Sequence, residues 1–105
     1  MTALKNSVSL SGLQSQIVVA FVIASDIARS LGLDLIVTSA NDSKHMTGSK
    51  HFVGDALDFR THDWDDLTKS QFIAKLRACL TSDFDVVFEL ANQPNEHLHV
   101  EWDPK

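Results

Sequence analysis

The chain is short of cysteine, of positive charge and of long apolar runs, and each shortage removes a class of protein. Its single cysteine, Cys79, excludes an internal disulfide and any cysteine-based zinc framework, so a metal here would have to be held by His and carboxylates. The formal charge of -5 and a pI near 5.3 leave no basic patch for phosphates, so no nucleic acid partner is expected, and there is no attraction to an anionic membrane. The most apolar stretch, "IVVAFVIA" from Ile17 to Ala24, is much too short to cross a bilayer, and no membrane insertion is expected. No charged start followed by an apolar run and a small-residue cleavage site is present, so no signal peptide is read and synthesis in the cytoplasm is expected. Repeats, low-complexity tracts and interdomain linkers are also missing.

What remains is an ordinary composition, 44% hydrophobic and 22% charged over 105 residues, which fits one small domain over residues 1–105 with a single core, expected to be monomeric. Leu13, Ile17, Val18, Phe21, Ala24, Ile27, Ala28 and Leu31 recur at helical spacing. They predict a helix from about residue 12 to 31, with Ser11 as N-cap and Gly32 as the stop. "LDLIVTS" from Leu33 to Ser39 reads as a buried strand, the polar "ANDSKHMTGSK" as a loop, and "DALDFR" as a second strand. "DDLTKSQFIAKLRACL" predicts a second helix, with capping-box spacing from Thr68 to Gln71 and Leu67, Phe72, Leu76, Cys79 and Leu80 near one face. "DVVFELA" and "EHLHVEW" read as two further strands turning through "NQPN". The expected fold is α+β, a small mostly antiparallel sheet with two helices. Trp102 and Cys79 are assigned to the core, and Trp64 to the rim or cap of a groove.

Two of these strands carry chemistry. Residues two apart share a strand face, so Asp58 and Arg60 fall opposite Leu57 and Phe59, while His97, His99 and Glu101 fall opposite Leu98, Val100 and Trp102. An Asp and paired His on a partly buried face need a partner for their charge, and a divalent cation supplies one. His51 stands seven residues before Asp58, with Gly54 between them to let the backbone turn tightly. Two His and one Asp are ligands suited to zinc, leaving the fourth position to water, as in catalytic sites. Glu96, three residues before His99, is then the candidate proton acceptor, provided that it lies at a bend before the strand.

"SKHFVGDALDF" matches the pattern Ser-x-His-x-x-Gly-x-Ala-x-Asp, and "EHLHVEW" matches Glu-x-x-His with an extra His two before the last. Together, over residues 36 to 102 at least, they resemble the zinc D-alanyl-D-alanine carboxypeptidase and peptidoglycan endopeptidase family. That family has the hedgehog/DD-peptidase fold and includes many phage endolysins. The resemblance implies one zinc ion per chain, held by His51, Asp58 and His99, with Glu96 as general base and His97 close to the metal and the reacting carbonyl. Ser49 matches a position with a supporting or substrate-facing role. The implied reaction is hydrolysis of an amide in the peptide stem of peptidoglycan, the partner. The implied place of action is the cell wall, after release or virion delivery.

In one respect the chain departs from the family. Many members carry an Arg soon after the "TS" that ends the strand, whereas here no Arg occurs between Arg29 and Arg60. Lys44, His45 and Arg60 are available to bind substrate in its place, His45 from the corresponding loop. Carboxypeptidase and endopeptidase therefore stay open. So does a catalytically silent, hedgehog-like zinc-binding interaction module. A different metal-dependent hydrolase such as a nuclease is disfavoured by the acidic surface.

Overall fold

The computed structural model describes residues 1–40 and 54–105. Within them the chain runs β1 (Thr2–Leu4), α1 (Ser15–Ser30), β2 (Leu35–Ser39), β3 (Ala56–Arg60), α2 (Asp66–Cys79), β4 (Phe84–Glu89) and β5 (His97–Trp102). The strands form one sheet in the order β1-β2-β3-β5-β4, antiparallel except where β1 joins β2. The expected α+β class and mostly antiparallel sheet are what the chain adopts.

Alternation along the strands builds the core. Leu35 and Val37 of β2, Leu57 and Phe59 of β3, and Leu98 and Val100 of β5 are all buried and meet both helices. From α1 come Ile17, Ala20, Ala24, Ile27 and Ala28, an i, i+3, i+4 stripe whose small alanines let the helix lie close to the sheet. Val18, Val19 and Val22 instead point outward and are about half exposed, so three of the β-branched residues of this helix add nothing to its packing. α2 contributes Phe72 and Leu76.

Helix ends differ from the sequence expectation in instructive ways. α1 starts after Gln14 rather than at Ser11, because the Gln14 N–H donates to the Gly54 carbonyl at 2.9 Å and ties the helix to the segment leading into β3. Gln16 adds a bond to Asp55 at 3.2 Å. Gly54 has φ of 76°, and a Cβ there would collide with the Gly12 carbonyl oxygen, so the motif glycine answers a close backbone approach. α2 is capped by Asp65, whose carboxylate accepts the Thr68 N–H at 2.7 Å; the capping box at Thr68 is replaced by this earlier cap.

Two core assignments are corrected. Cys79 is exposed, because it ends α2 and the next residue, Leu80, takes the buried place. Leu67 is 68% exposed, lying in the first turn away from Phe72 and Leu76. Trp64 packs its ring edge-on against Phe72 at 4.9 Å and rests on the core, while also lining a surface cavity beside Arg60 and Asp63. Trp102, as expected, packs on the core, edge-on to Phe84 at 5.0 Å. No helix among the described residues is long and apolar enough to cross a membrane.

Candidate metal centre

The face of the sheet turned away from the core gathers the polar residues of three neighbouring strands. In register, Asp58 of β3 faces His99 of β5, which faces Val87 of β4; one step along, Arg60 faces His97, which faces Glu89. Hydrogen-bonded strands lie about 4.8 Å apart, so a row of opposed side chains is set at ligand spacing by the backbone itself. β2 makes an irregular step against β3, with Val37 opposite Phe59 but Ser39 opposite Asp58. Such a bulge alters the local twist beside Asp58.

His99 lies between two carboxylates. Its Nδ1 is 2.7 Å from Asp58 Oδ1 and its Nε2 is 2.7 Å from Glu101 Oε1. Burial opposes a charge on this ring, but the hydrogen bonds and charges of Asp58 and Glu101 outweigh it and raise the pKa to about 9. In the metal-free protein the ring is an imidazolium donating to both neighbours. A divalent cation would replace one of those protons, leaving the other nitrogen to donate to a carboxylate, the usual support for a metal-bound imidazole.

Asp58, Glu89 and His99 each present a ligand atom, and the three atoms lie within 4.8 Å of one another. Two carboxylates and an imidazole at that spacing fit a divalent cation. A second group, Asp85, Glu101 and Asp103, is taken up by Lys105, whose Nζ is 2.9 Å from Asp85 and 3.1 Å from Asp103.

His97 stands beside this group. Its Nδ1 is 2.9 Å from the Asn95 carbonyl and its Nε2 is 3.1 Å from Glu89 Oε1, with Asp58 Oδ2 at 4.0 Å. A shallow cavity of about 360 Å³ opens at this end of the face, lined among others by Asp58, Arg60, Glu96, His97 and Lys5. His62 reaches the same cavity, with Nε2 3.1 Å from Asp63 Oδ1.

The structure thus brings Asp58, His97, His99 and Arg60 together. His45, Ser49 and His51 lie outside the described residues, as does Lys44.

Glu96 lies at the bend before β5, as its spacing to His99 called for, within a polar network of its own. It sits just before β5, at 2% exposure, and its carboxylate is taken by three donors. Oε2 accepts Thr61 Oγ1 at 2.7 Å, while Oε1 accepts Lys69 Nζ at 3.0 Å and the Asn92 N–H at 3.0 Å. Burial alone would push this carboxyl up, yet the hydrogen bonds from Asn92, Thr61 and Lys69 and the Lys69 charge hold it below the usual carboxylate range. A carboxylate held ionised by three donors is a weak proton acceptor in this arrangement.

Glu89 is the residue that sequence reasoning missed. The signal was available: Asp85, Val87 and Glu89 share a face of β4, and a hairpin through "NQPN" places the end of β4 beside the start of β5. No family model, curated protein or solved structure matches the chain.

Proposed function

We propose that this chain is a zinc metallopeptidase that hydrolyses an amide bond in the peptide stem of peptidoglycan. The observation that supports it best is the 2.7 Å approach of Asp58 Oδ1 to His99 Nδ1. The two motifs carrying the family resemblance are far apart in sequence, and nothing in their spacing required the fold to bring their ligand residues face to face. Asp58 and His99 would hold the ion together with His51, and the ion would polarise the scissile carbonyl and activate a water for attack.

The chain's own groups divide the remaining work. Glu101 holds the His99 ring through Nε2 and keeps Nδ1 turned to Asp58. With His51, Asp58 and His99 as the ligands, Glu89 would be left off the ion; 46% exposed on its side chain and with an oxygen within 4.8 Å of the Asp58 and His99 ligand atoms, it would take the proton of the attacking water and return it to the leaving amine. His97 orients Glu89 through its 3.1 Å contact, and Arg60, across from His97 in register, offers a positive charge to a substrate carboxylate or to the developing oxyanion. In this division Glu89 has the role that spacing had suggested for Glu96.

The test is metal content of the purified protein, paired with release of new amino groups from purified peptidoglycan with and without a chelator. About one zinc per chain with chelator-sensitive release is the expected result. Zinc without release, across walls of several cross-link types, would instead favour the catalytically silent zinc-binding interaction module, a reading that the absence of Arg between Arg29 and Arg60 supports.

A further inference from the structure

The carboxylate of Glu96 ties together four parts of the chain. Thr61, fully buried, is the residue after β3; Lys69 is on α2; Asn92 is in the β4–β5 turn; and Glu96 itself leads into β5. A buried ion pair is a weak source of net stability compared with apolar packing, because desolvation offsets its attraction. Its clearer effect is geometric, since three charge-assisted bonds converge on one group. They converge on a turn that needs holding. Leu90 and Asn92 have φ of 56° and 66°, the left-handed region that a residue such as Leu adopts only at a cost and that Asn tolerates better. The N–H of Asn92 is one of the three donors, so the bond fixes the backbone where it is strained.

This turn ends at Asn95, whose carbonyl lies 2.9 Å from His97 Nδ1. A histidine ring held at one nitrogen by a backbone carbonyl has its other nitrogen aimed, here at Glu89 and Asp58. We infer that the Lys69–Glu96 pair, buried at its carboxylate, is a positioning device: by fixing the β4–β5 turn it sets the Asn95 carbonyl, and through it the orientation of His97 over the candidate metal centre. Lys69 and Glu96 are positioning residues and touch no reacting atom. The inference concerns the placement of one ring and does not depend on which reaction the site performs.

The test is the imidazole nitrogen spectrum of the metal-free full chain, with the His97 resonances assigned by their loss in His97→Gln. In the parent protein the His97 Nδ1 proton is expected to be observable and slow to exchange. In Lys69→Met it should be lost, and Lys69→Arg, which keeps the charge, should retain it. Ile27→Val, a core change remote from the turn, separates positioning from general destabilisation: it lowers stability and leaves the ring proton in place. Thr61→Val removes one donor with little change of shape; it should broaden or weaken the signal and serves as the reading should Lys69→Met fail to fold. A ring proton that persists unchanged in whichever of these two variants is folded overturns the inference. So does its loss in Ile27→Val.

Discussion

Asp58 and His99 lie directly opposite one another on β3 and β5, with Oδ1 2.7 Å from Nδ1. With both as ligands of the proposed ion, removing either should abolish its binding. His99→Ala is expected to lower bound zinc from about one per chain to near zero, measured by elemental analysis after dialysis. In the metal-free state it should also cost about 1–3 kcal/mol in denaturant unfolding, because Asp58 and Glu101 lose a charged partner. Zinc stoichiometry that survives unaltered would show the ligand set to be wrong.

The His99 pKa of about 9 gives the metal-free protein a definite pH dependence. The folded value lies above the ordinary 6.5, so protonation stabilises the fold. That contribution is complete below about pH 6.5 and is lost as pH rises through about 9. Thermal unfolding of the chelated chain from pH 6 to pH 10 should show Tm falling across this window. Zinc uptake must expel the proton, so affinity should rise over the same interval. A Tm independent of pH between these limits would contradict the His99 environment described.

Two glutamates separate the proton-transfer assignments. Glu89→Gln is expected to reduce kcat for amine release by about 10²–10⁴-fold while zinc stays bound. Glu96→Gln should leave kcat within about tenfold, well short of the loss expected for a general base. It should lower stability instead, by about 1–3 kcal/mol for a buried charged hydrogen-bond partner weakened. The reverse pattern would restore Glu96 as the base.

Glu96 also titrates in the opposite sense to His99. Its carboxyl is held below the ordinary 4.5, so its contribution is complete above about pH 4.5 and is lost as pH falls through the folded value. Acid unfolding followed by far-ultraviolet circular dichroism should begin at higher pH in Thr61→Val, which lacks one of the three donors.

Gly54→Ala should be among the costliest single changes, at roughly 2–4 kcal/mol, from left-handed backbone and overpacking against Gly12. Denaturant unfolding measures it directly. A loss below about 1 kcal/mol would mean that the approach of the two segments relaxes easily.

The six elements legible in the sequence were those whose signal is local. Short apolar, β-branched runs located β2 and β4, alternation located β3 and β5, and the helical spacing of Leu13, Ile17, Val18, Phe21, Ala24, Ile27, Ala28 and Leu31 located α1. β1 was missed because three residues carry no period; Thr2–Leu4 becomes a strand only through its parallel pairing with β2. Cys79 has the helical phase of Phe72, and only the end of α2 exposes it, which no periodicity reports. In the site, alternation put Asp58 and His99 on the right faces of their strands. Glu89 escaped notice because spacing along the chain was weighed where strand register decides. The partners of Glu96, at positions 61, 69 and 92, belong to three other segments, and only the folded chain identifies them.

The meeting of Gly12 and Gly54 has a practical consequence. The segment before α1 rests on the backbone that leads into β3, and Gln14 and Gln16 bond to Gly54 and Asp55. A shortened fragment starting at β2 would keep Asp58, His97 and His99 in its sequence yet lose the support on which the Asp58 strand is laid. The smallest piece able to keep Asp58 and His99 in this geometry therefore begins before Gly12.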